Sequence, residues 1–244
     1  MRQVRHCTMG TLISVLFHPV VGSAQKAPLE IHRLTENCHV FTTYNMFNGI
    51  RVPSNGMYLV TPEGVVLFDT PWDTTQFQPL LDSIWLKHRQ QVVLAVSTHY
   101  HDDRTAGLSF FRKKGVKTYT SRKTRELCLK FNEPLSEFYF TGDTVFRVGG
   151  FDVETFFPGE GHTPDNIVIW FRNEKILYGG CLVKSTVNET LGNTADANLR
   201  AWPSSIKRVI RKYKSPAFVV PGHFGWNSPG ALQHTLKLLK QAGT

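Results

Sequence analysis

The chain has 244 residues, 41% hydrophobic and 19% charged, enough apolar material for one sizeable globular domain and too much for an intrinsically disordered chain. Its 28 Lys and Arg against 19 Asp and Glu give a formal charge of +9. The cations are scattered and no aromatic-basic repeat marks a nucleic-acid groove, so the charge reads as a solvated basic surface.

In chain order, Arg2 and Arg5 precede an apolar run over residues 9–21, which closes in Gly22-Ser23-Ala24. A basic start, an apolar stretch and small residues at a cut site make residues 1–24 a secretory signal peptide, leaving a mature domain of residues 25–244. A buried N-terminal helix fits less well, because His18-Pro19 interrupts the run and no polar face is present. The run falls short of the ~20 residues a membrane span requires. Cys7 precedes it, the wrong position for lipid attachment. The expected product is exported and soluble, and loss of Arg2 and Arg5 lowers its formal charge to +7.

Cys38-His39-Val40-Phe41 begins a strand. Residues 44–56 follow, with Met46, Phe47, Ile50 and Val52 set among polar residues, and read as a mobile flap whose exposed apolar side chains suit varied ligands. A buried hairpin is the alternative. Strand patterns over 57–60 and 64–69 lead into an amphipathic helix over 75–88, with Phe77, Leu80, Leu81 and Ile84 on one face. Asp69 ends the second of these strands, placed to orient a metal ligand from behind. A buried strand over 92–96 precedes His99-Tyr100-His101-Asp102-Asp103. A helix over 106–113, a strand over 116–119 and a helix over 122–130 come next. Strands over 144–148, 151–156, 167–171 and 175–177, a helix over 198–212, a strand over 217–220 and a helix over 229–242 complete the chain. Strands are grouped, with helices between the groups, in both halves. Two sheets back to back with helices outside, a four-layer αββα sandwich of the α/β class, fit this order, and no linker divides it.

The candidate chemistry sits where strands end. His99, His101 and Asp103 alternate directly after a strand, which keeps the three on one side. Alone, such a triplet can be a satisfied surface pair of histidines. Three later elements argue otherwise: Gly161-His162-Thr163-Pro164-Asp165-Asn166 before a strand, Cys181 after Tyr178-Gly179-Gly180, and His223 in Pro221-Gly222-His223. Rigid strand ends can fix metal geometry to a few tenths of an ångström. Three cysteines follow the signal, so at least one is free, metal-bound or paired between molecules. Cys181 has a ligand's setting, whereas Cys38 and Cys128 read as packing residues.

These six residues, with Gly179-Gly180-Cys181-Leu182-Val183-Lys184-Ser185 and Asp102-Asp103-Arg104, make the chain resemble the class B metallo-β-lactamases. The resemblance runs from about Leu29 to the C-terminus and is to the flavobacterial type of the first, di-zinc, broad-spectrum subclass. It implies the metallo-β-lactamase fold and two Zn²⁺ per chain. His99, His101 and His162 would bind the first zinc, and Asp103, Cys181 and His223 the second. It implies hydrolysis of penicillins, cephalosporins and carbapenems, antibiotic resistance, and the periplasm of a Gram-negative bacterium. Nothing in the pattern signals an oligomer, a nucleic-acid partner or a membrane span, and a monomer is the expectation.

The ligand types make chemical sense beside the resemblance. Three neutral imidazoles leave Zn²⁺ its full charge and an open position, lowering the pKa of bound water toward ~7. A carboxylate and a thiolate neutralise the second ion, which can still accept the nitrogen anion that forms as the ring opens. The expected reaction is attack of zinc-bound hydroxide on the β-lactam carbonyl, C–N cleavage and protonation of nitrogen, with Asp103 orienting the nucleophile. Lys184 looks like the family's lysine that pairs with the substrate carboxylate. Asn193 matches its loop asparagine, which polarises the carbonyl oxygen; a turn residue beside Gly192 is the alternative. Asp102 and Arg104 read as charges outside the ligand set.

Ser204-Ser205-Ile206-Lys207 satisfies the Ser-x-x-Lys pattern of serine β-lactamases, yet the companion Ser-Asp-Asn and Lys-Thr-Gly motifs are absent, and it reads as helix surface. Other hydrolases of the same superfold, such as thioesterases, lactonases and phosphodiesterases, extend the motif to H-x-H-x-D-H and bridge the metals with Asp. Here Arg104 and Cys181 stand in those places. A non-catalytic zinc-binding protein is the alternative from another class, and Lys184 and Asn193 argue against it.

Overall fold

Alternation along the central strands builds the layers. The computed structural model describes residues 28–243, and the expected signal peptide lies outside them. The larger sheet runs in the order β1 (Leu29–Arg33), β2 (Cys38–Phe47), β3 (Ile50–Thr61), β4 (Gly64–Phe68), β5 (Val92–Val96), β6 (Lys117–Ser121) and β7 (Phe138–Phe140). The smaller runs β12 (Phe218–Pro221), β11 (Ile176–Gly180), β10 (Val168–Phe171), β9 (Phe151–Phe156) and β8 (Val145–Val148).

Odd and even residues of one strand enter different cores. In β3 and β4, Met57, Leu59, Val66 and Phe68 face Ile169, Phe171, Ile176, Tyr178 and Val220 of the other sheet. Their neighbours Tyr58, Val65 and Leu67 face outward, onto α1 (Phe77–His88) and Phe111 of α3 (Leu108–Lys113). On the far side, Val168, Leu177 and Val219 pack under α5 (Trp202–Lys212) and α6 (Ala231–Gln241). A residue period of two is what makes this sorting automatic. Each fully buried Leu, Val or Phe contributes about 1.5–3 kcal/mol, so the doubly covered strands carry most of the apolar burial. The outcome is the expected four-layer αββα sandwich.

Strand direction then places the site. β4, β5, β6 and β7 are parallel, as are β11 and β12, so their crossovers carry the helices. Phe68, Val96, Gly180 and Pro221 close β4, β5, β11 and β12, and each hands the chain to a candidate site residue within a few positions. β10 is antiparallel to β11, so the loop ahead of it, with His162, emerges at the same edge.

Several expectations need correcting. The helical turn after the histidine motif starts at the motif itself, in α2 (Asp102–Thr105), and only then continues as α3. The short edge strands β1 and β7 were not anticipated. Residues 44–56 are not a loop: β2 and β3 pair to their tips, from Cys38 against Leu59 to Phe47 against Ile50, and turn at Asn48-Gly49 with φ of 50° and 76°. The base of this hairpin is buried at Ser54, Asn55 and Gly56, and its tip exposes Met46, Phe47 and Ile50. Helix α4 (Arg122–Phe131) matches expectation, capped by the Ser121 hydroxyl on Thr124 N–H.

Candidate metal centre

β5 delivers the first candidate ligands by a short, heavily bonded turn. Ser97 N–H donates to Tyr119 O, and Ile167 N–H donates to Thr98 O, so the turn is stitched to β6 and to the smaller sheet. Asp69, at φ 60° just past β4, accepts from Thr98 N–H at 2.7 Å and Thr98 Oγ1 at 2.9 Å. His99 is thereby fixed, and His101 follows as the residue that opens α2. The third histidine, His162, faces both: the ring centroids are 4.9 Å (His99–His101), 5.1 Å (His99–His162) and 5.1 Å (His101–His162) apart, with planes 76–88° from one another. Nearly perpendicular rings of this kind approach closely without stacking.

Asp103, Cys181 and His223 close the cluster. Their ligand atoms lie within 4.8 Å of one another, as do those of His99, His101 and Asp103, and of His99, His162 and Cys181. His223 Nε2 is 3.0 Å and Cys181 Sγ 3.5 Å from Asp103 Oδ2. Asp103, Cys181 and His223 thus form one compact donor triple, whereas the three histidine rings lie close together but their donor atoms group with Asp103 and with Cys181.

The tautomers are set from outside. His223 Nδ1 donates to the Pro53 carbonyl at 2.8 Å, and its Nε2 faces Asp103 Oδ2 at 3.0 Å. His101 Nε2 contacts Asp196 Oδ2 at 3.0 Å, while its Nδ1 lies 3.2 Å from His99 Nε2. Such outer partners fix imidazole orientation and raise ligand basicity.

The electrostatics favour a cation in the cluster. Burial holds His99 and His162 well below the ordinary histidine range, and nearby cations push the same way, so both rings are neutral ligands at physiological pH. Burial also pushes the Cys181 thiol up, opposed by Arg104. Burial would raise Asp103, but Arg104 and His223 hold its carboxyl well below the usual range. Asp103 Oδ1 and His162 Nδ1 are buried with no hydrogen-bond partner. An unfilled buried polar atom costs about 1–3 kcal/mol. The imidazole, carboxylate and thiol donors of this cluster fit zinc.

Arg104 lies outside the ligand set, as expected, and is fully buried, tying the site together. Its guanidinium donates to Asp103 Oδ2 (2.7 Å), Asp69 Oδ2 (3.3 Å), Ser54 Oγ (3.1 Å), Tyr178 Oη (3.0 Å) and the carbonyls of Asn55 (2.6 Å) and Gly222 (2.9 Å). Asp69, expected behind the ligands, sits there with its pKa raised to about 6 by burial against the pull of Arg104. Asp102 is exposed and accepts from Trp72 Nε1 at 3.1 Å.

Lys184 is buried beside the cluster, its Nζ 5.3 Å from the centre of the Trp202 ring. Burial lowers its pKa, while Cys181 and Asp103 oppose that shift. Asn193 is exposed and is not drawn into the cluster; its Oδ1 accepts from Ala195 N–H at 3.1 Å, the turn role weighed above. Its loop nevertheless reaches the site through Asp196. Sequence reasoning missed Asp196, Trp72 (6.1 Å, ring to ring, from His223) and Trp202 (5.9 Å from His162). Only Trp72 left a trace, standing three residues after Asp69. Ser204 and Lys207 are exposed on α5 and Cys38 and Cys128 are buried, as expected, and both cysteines are free.

The model of the metallo-beta-lactamase superfamily matches residues 49–223. Metallo-beta-lactamase IND-1 of Chryseobacterium indologenes is 40% identical over 230 residues, 94% of this chain and 96% of the relative. Metallo-beta-lactamase type 2 of Elizabethkingia meningoseptica is 38% identical over 218 residues, 89% of this chain and 88% of the relative. The crystal structure of metallo-beta-lactamase IND-7 superposes with a TM-score of 0.85 at 41% identity, covering 88% of this chain and 100% of the other. Fold, donor cluster and relatives converge: the chain belongs to the metallo-β-lactamase superfamily.

Proposed function

We propose that this chain is a zinc-dependent β-lactamase that opens the β-lactam amide of penicillins, cephalosporins and carbapenems, conferring resistance to them. The observation that carries this reading is the compact Asp103-Cys181-His223 triple set against three mutually perpendicular imidazoles. His99, His101 and His162 hold one ion, and Asp103, Cys181 and His223 a second. Bound zinc supplies Lewis acidity and a water that ionises near pH ~7.

The protein's own groups do the rest. Asp103 orients the attacking water, its Oδ2 already held by Arg104 and His223. Lys184, a partly desolvated ammonium, binds the carboxylate beside the ring nitrogen, because an arriving anion relieves the cost of burying its charge. Asn193 presents its amide NH₂ to the substrate carbonyl, since its Oδ1 is committed to Ala195. Residues 1–24 direct export to the periplasm of a Gram-negative bacterium, where the mature chain of residues 25–244 works as a monomer.

The test is loss of imipenem's ring absorbance on adding purified protein, with zinc and with EDTA. Zinc-dependent hydrolysis that EDTA abolishes and clavulanate-like acylating inhibitors spare is the expected result. Turnover in a verified metal-free preparation would overturn it.

A further inference from the structure

The cations of this chain are scattered, but its acids are not, so the net charge is uneven. Residues 25–196 contain 18 Lys and Arg against 19 Asp and Glu, whereas residues 197–244 contain eight Lys and Arg and no acid. The net positive charge of the mature chain therefore resides in its last 48 residues. Those residues supply α5 and α6, which together form the outer layer over the smaller sheet.

Helical geometry puts the charge outside. On α5, Trp202, Ser205, Ile206 and Val209 are buried, while Lys207, Arg208, Arg211 and Lys212 are exposed on the opposite arc. Lys237 and Lys240 are exposed on α6, three residues apart on one face, and Arg200 and Lys214 flank α5. No salt bridge among the described residues engages any of these eight. No large apolar side chain is strongly exposed on either helix.

We propose that the α5–α6 face is an electrostatic docking surface for an anionic phospholipid bilayer. A layer of two helices spreads cations over a broad surface instead of lining a groove, which suits a sheet of phosphodiester headgroups better than a nucleic-acid strand. Without exposed apolar residues the attachment is peripheral, held by charge and reversed by salt. The metal centre opens at the strand ends, at the edge of the sandwich, so a chain lying on its α5–α6 layer keeps that edge open to substrate. The role concerns where the protein resides and does not depend on the reaction proposed above.

The test is co-sedimentation with vesicles of zwitterionic phosphatidylcholine alone or mixed with anionic phosphatidylglycerol, using the chain without residues 1–24, which retains every described element. Binding to the anionic vesicles only, released at ~0.5 M salt, is expected. Lys207→Glu, Arg211→Glu and Lys237→Glu combined should lower the partition coefficient at least about tenfold. The same number of reversals on the large-sheet side, Arg89→Glu, Lys113→Glu and Lys117→Glu, should lower it much less. Imipenem hydrolysis and thermal unfolding check that both variants fold. No binding to anionic vesicles, or equal loss in both variants, would overturn the proposal. So would tighter binding to a DNA duplex at matched phosphate concentration, which would reassign the face to nucleic acid.

Discussion

His223 Nδ1 donates to the Pro53 carbonyl at 2.8 Å, so the hairpin that rims the candidate metal centre also orients one of its candidate ligands. Ser54 bridges His223 as an isolated β-pair, and Asn55 N–H donates to Gly222 O at 2.8 Å. Hairpin and ligand loop are one backbone-bonded unit.

Asn55 is the side chain that locks this unit. Its amide donates to Pro221 O at 3.0 Å and Phe224 O at 2.8 Å and accepts from Thr42 Oγ1 at 2.9 Å. Asn55→Ala leaves buried groups without partners, and we expect a loss of about 1–3 kcal/mol in urea unfolding. Zinc titration should show the His223-containing site weakened more than the three-histidine site. Unchanged stability would show that the loop is held by other contacts.

Removal of Arg104 strands two buried carboxylates, Asp103 and Asp69. Breaking a buried pair from one side costs about 3–5 kcal/mol, and Arg104→Met should destabilise the metal-free protein by that amount. Arg104→Lys should recover little, because an ammonium cannot span Asp103, Asp69, Tyr178 and two carbonyls at once. Chemical denaturation in EDTA measures both, and a near-neutral Arg104→Met would contradict the assignment.

Cys181→Ser should weaken the second zinc far more than the first. Burial raises the Cys181 pKa, so metal binding must displace its proton, and affinity should rise with pH in the parent more steeply than in the variant. Gly222→Ala should resemble it, since an added Cβ would stand 2.7 Å from Cys181 Sγ and 2.8 Å from Cys181 N. Equal loss at both sites in a metal titration would refute the ligand division.

His39 provides a pH test away from the metals. It is buried, stacked on Tyr58 at 4.6 Å, and its pKa is lowered to about 4 by burial first and then by Lys87, His88 and Arg33. The unfolded chain, with a histidine pKa of 6.5, binds more protons, so stability is lost as pH falls from 6.5 toward 4. His39→Gln should flatten that limb relative to the parent, read by urea midpoints at each pH with EDTA present. Parallel limbs would place the acid sensitivity elsewhere.

The candidate ligands were legible because each follows or precedes a strand whose apolar run can be read locally, as at residues 92–96 before His99. The sandwich was legible from the same alternation. Edge strands were not: β7 is three residues long, and its pairing with β6 is a long-range fact. Pro53 disguised the hairpin, since proline argues against a central strand. β4 pairs with β3 only from Met57 to Thr61, however, so at Pro53 β3 has only one strand beside it, β2 through Tyr44. Burial of Arg104 was invisible because its partners Ser54, Asn55, Asp69, Tyr178 and Gly222 are spread over more than 160 positions of sequence.

One guanidinium spanning that many segments also constrains how this protein can change. Ser54, Asp69, Asp103, Tyr178 and the Gly222 turn meet at a single planar group, so a substitution at any one of them is felt at the others and has to be matched by a second. Met46, Phe47 and Ile50 at the hairpin tip make no bond to it, and neither does Asn193. Change is therefore free at the hairpin tip and around Asn193, and locked at the centre, where five segments share one partner.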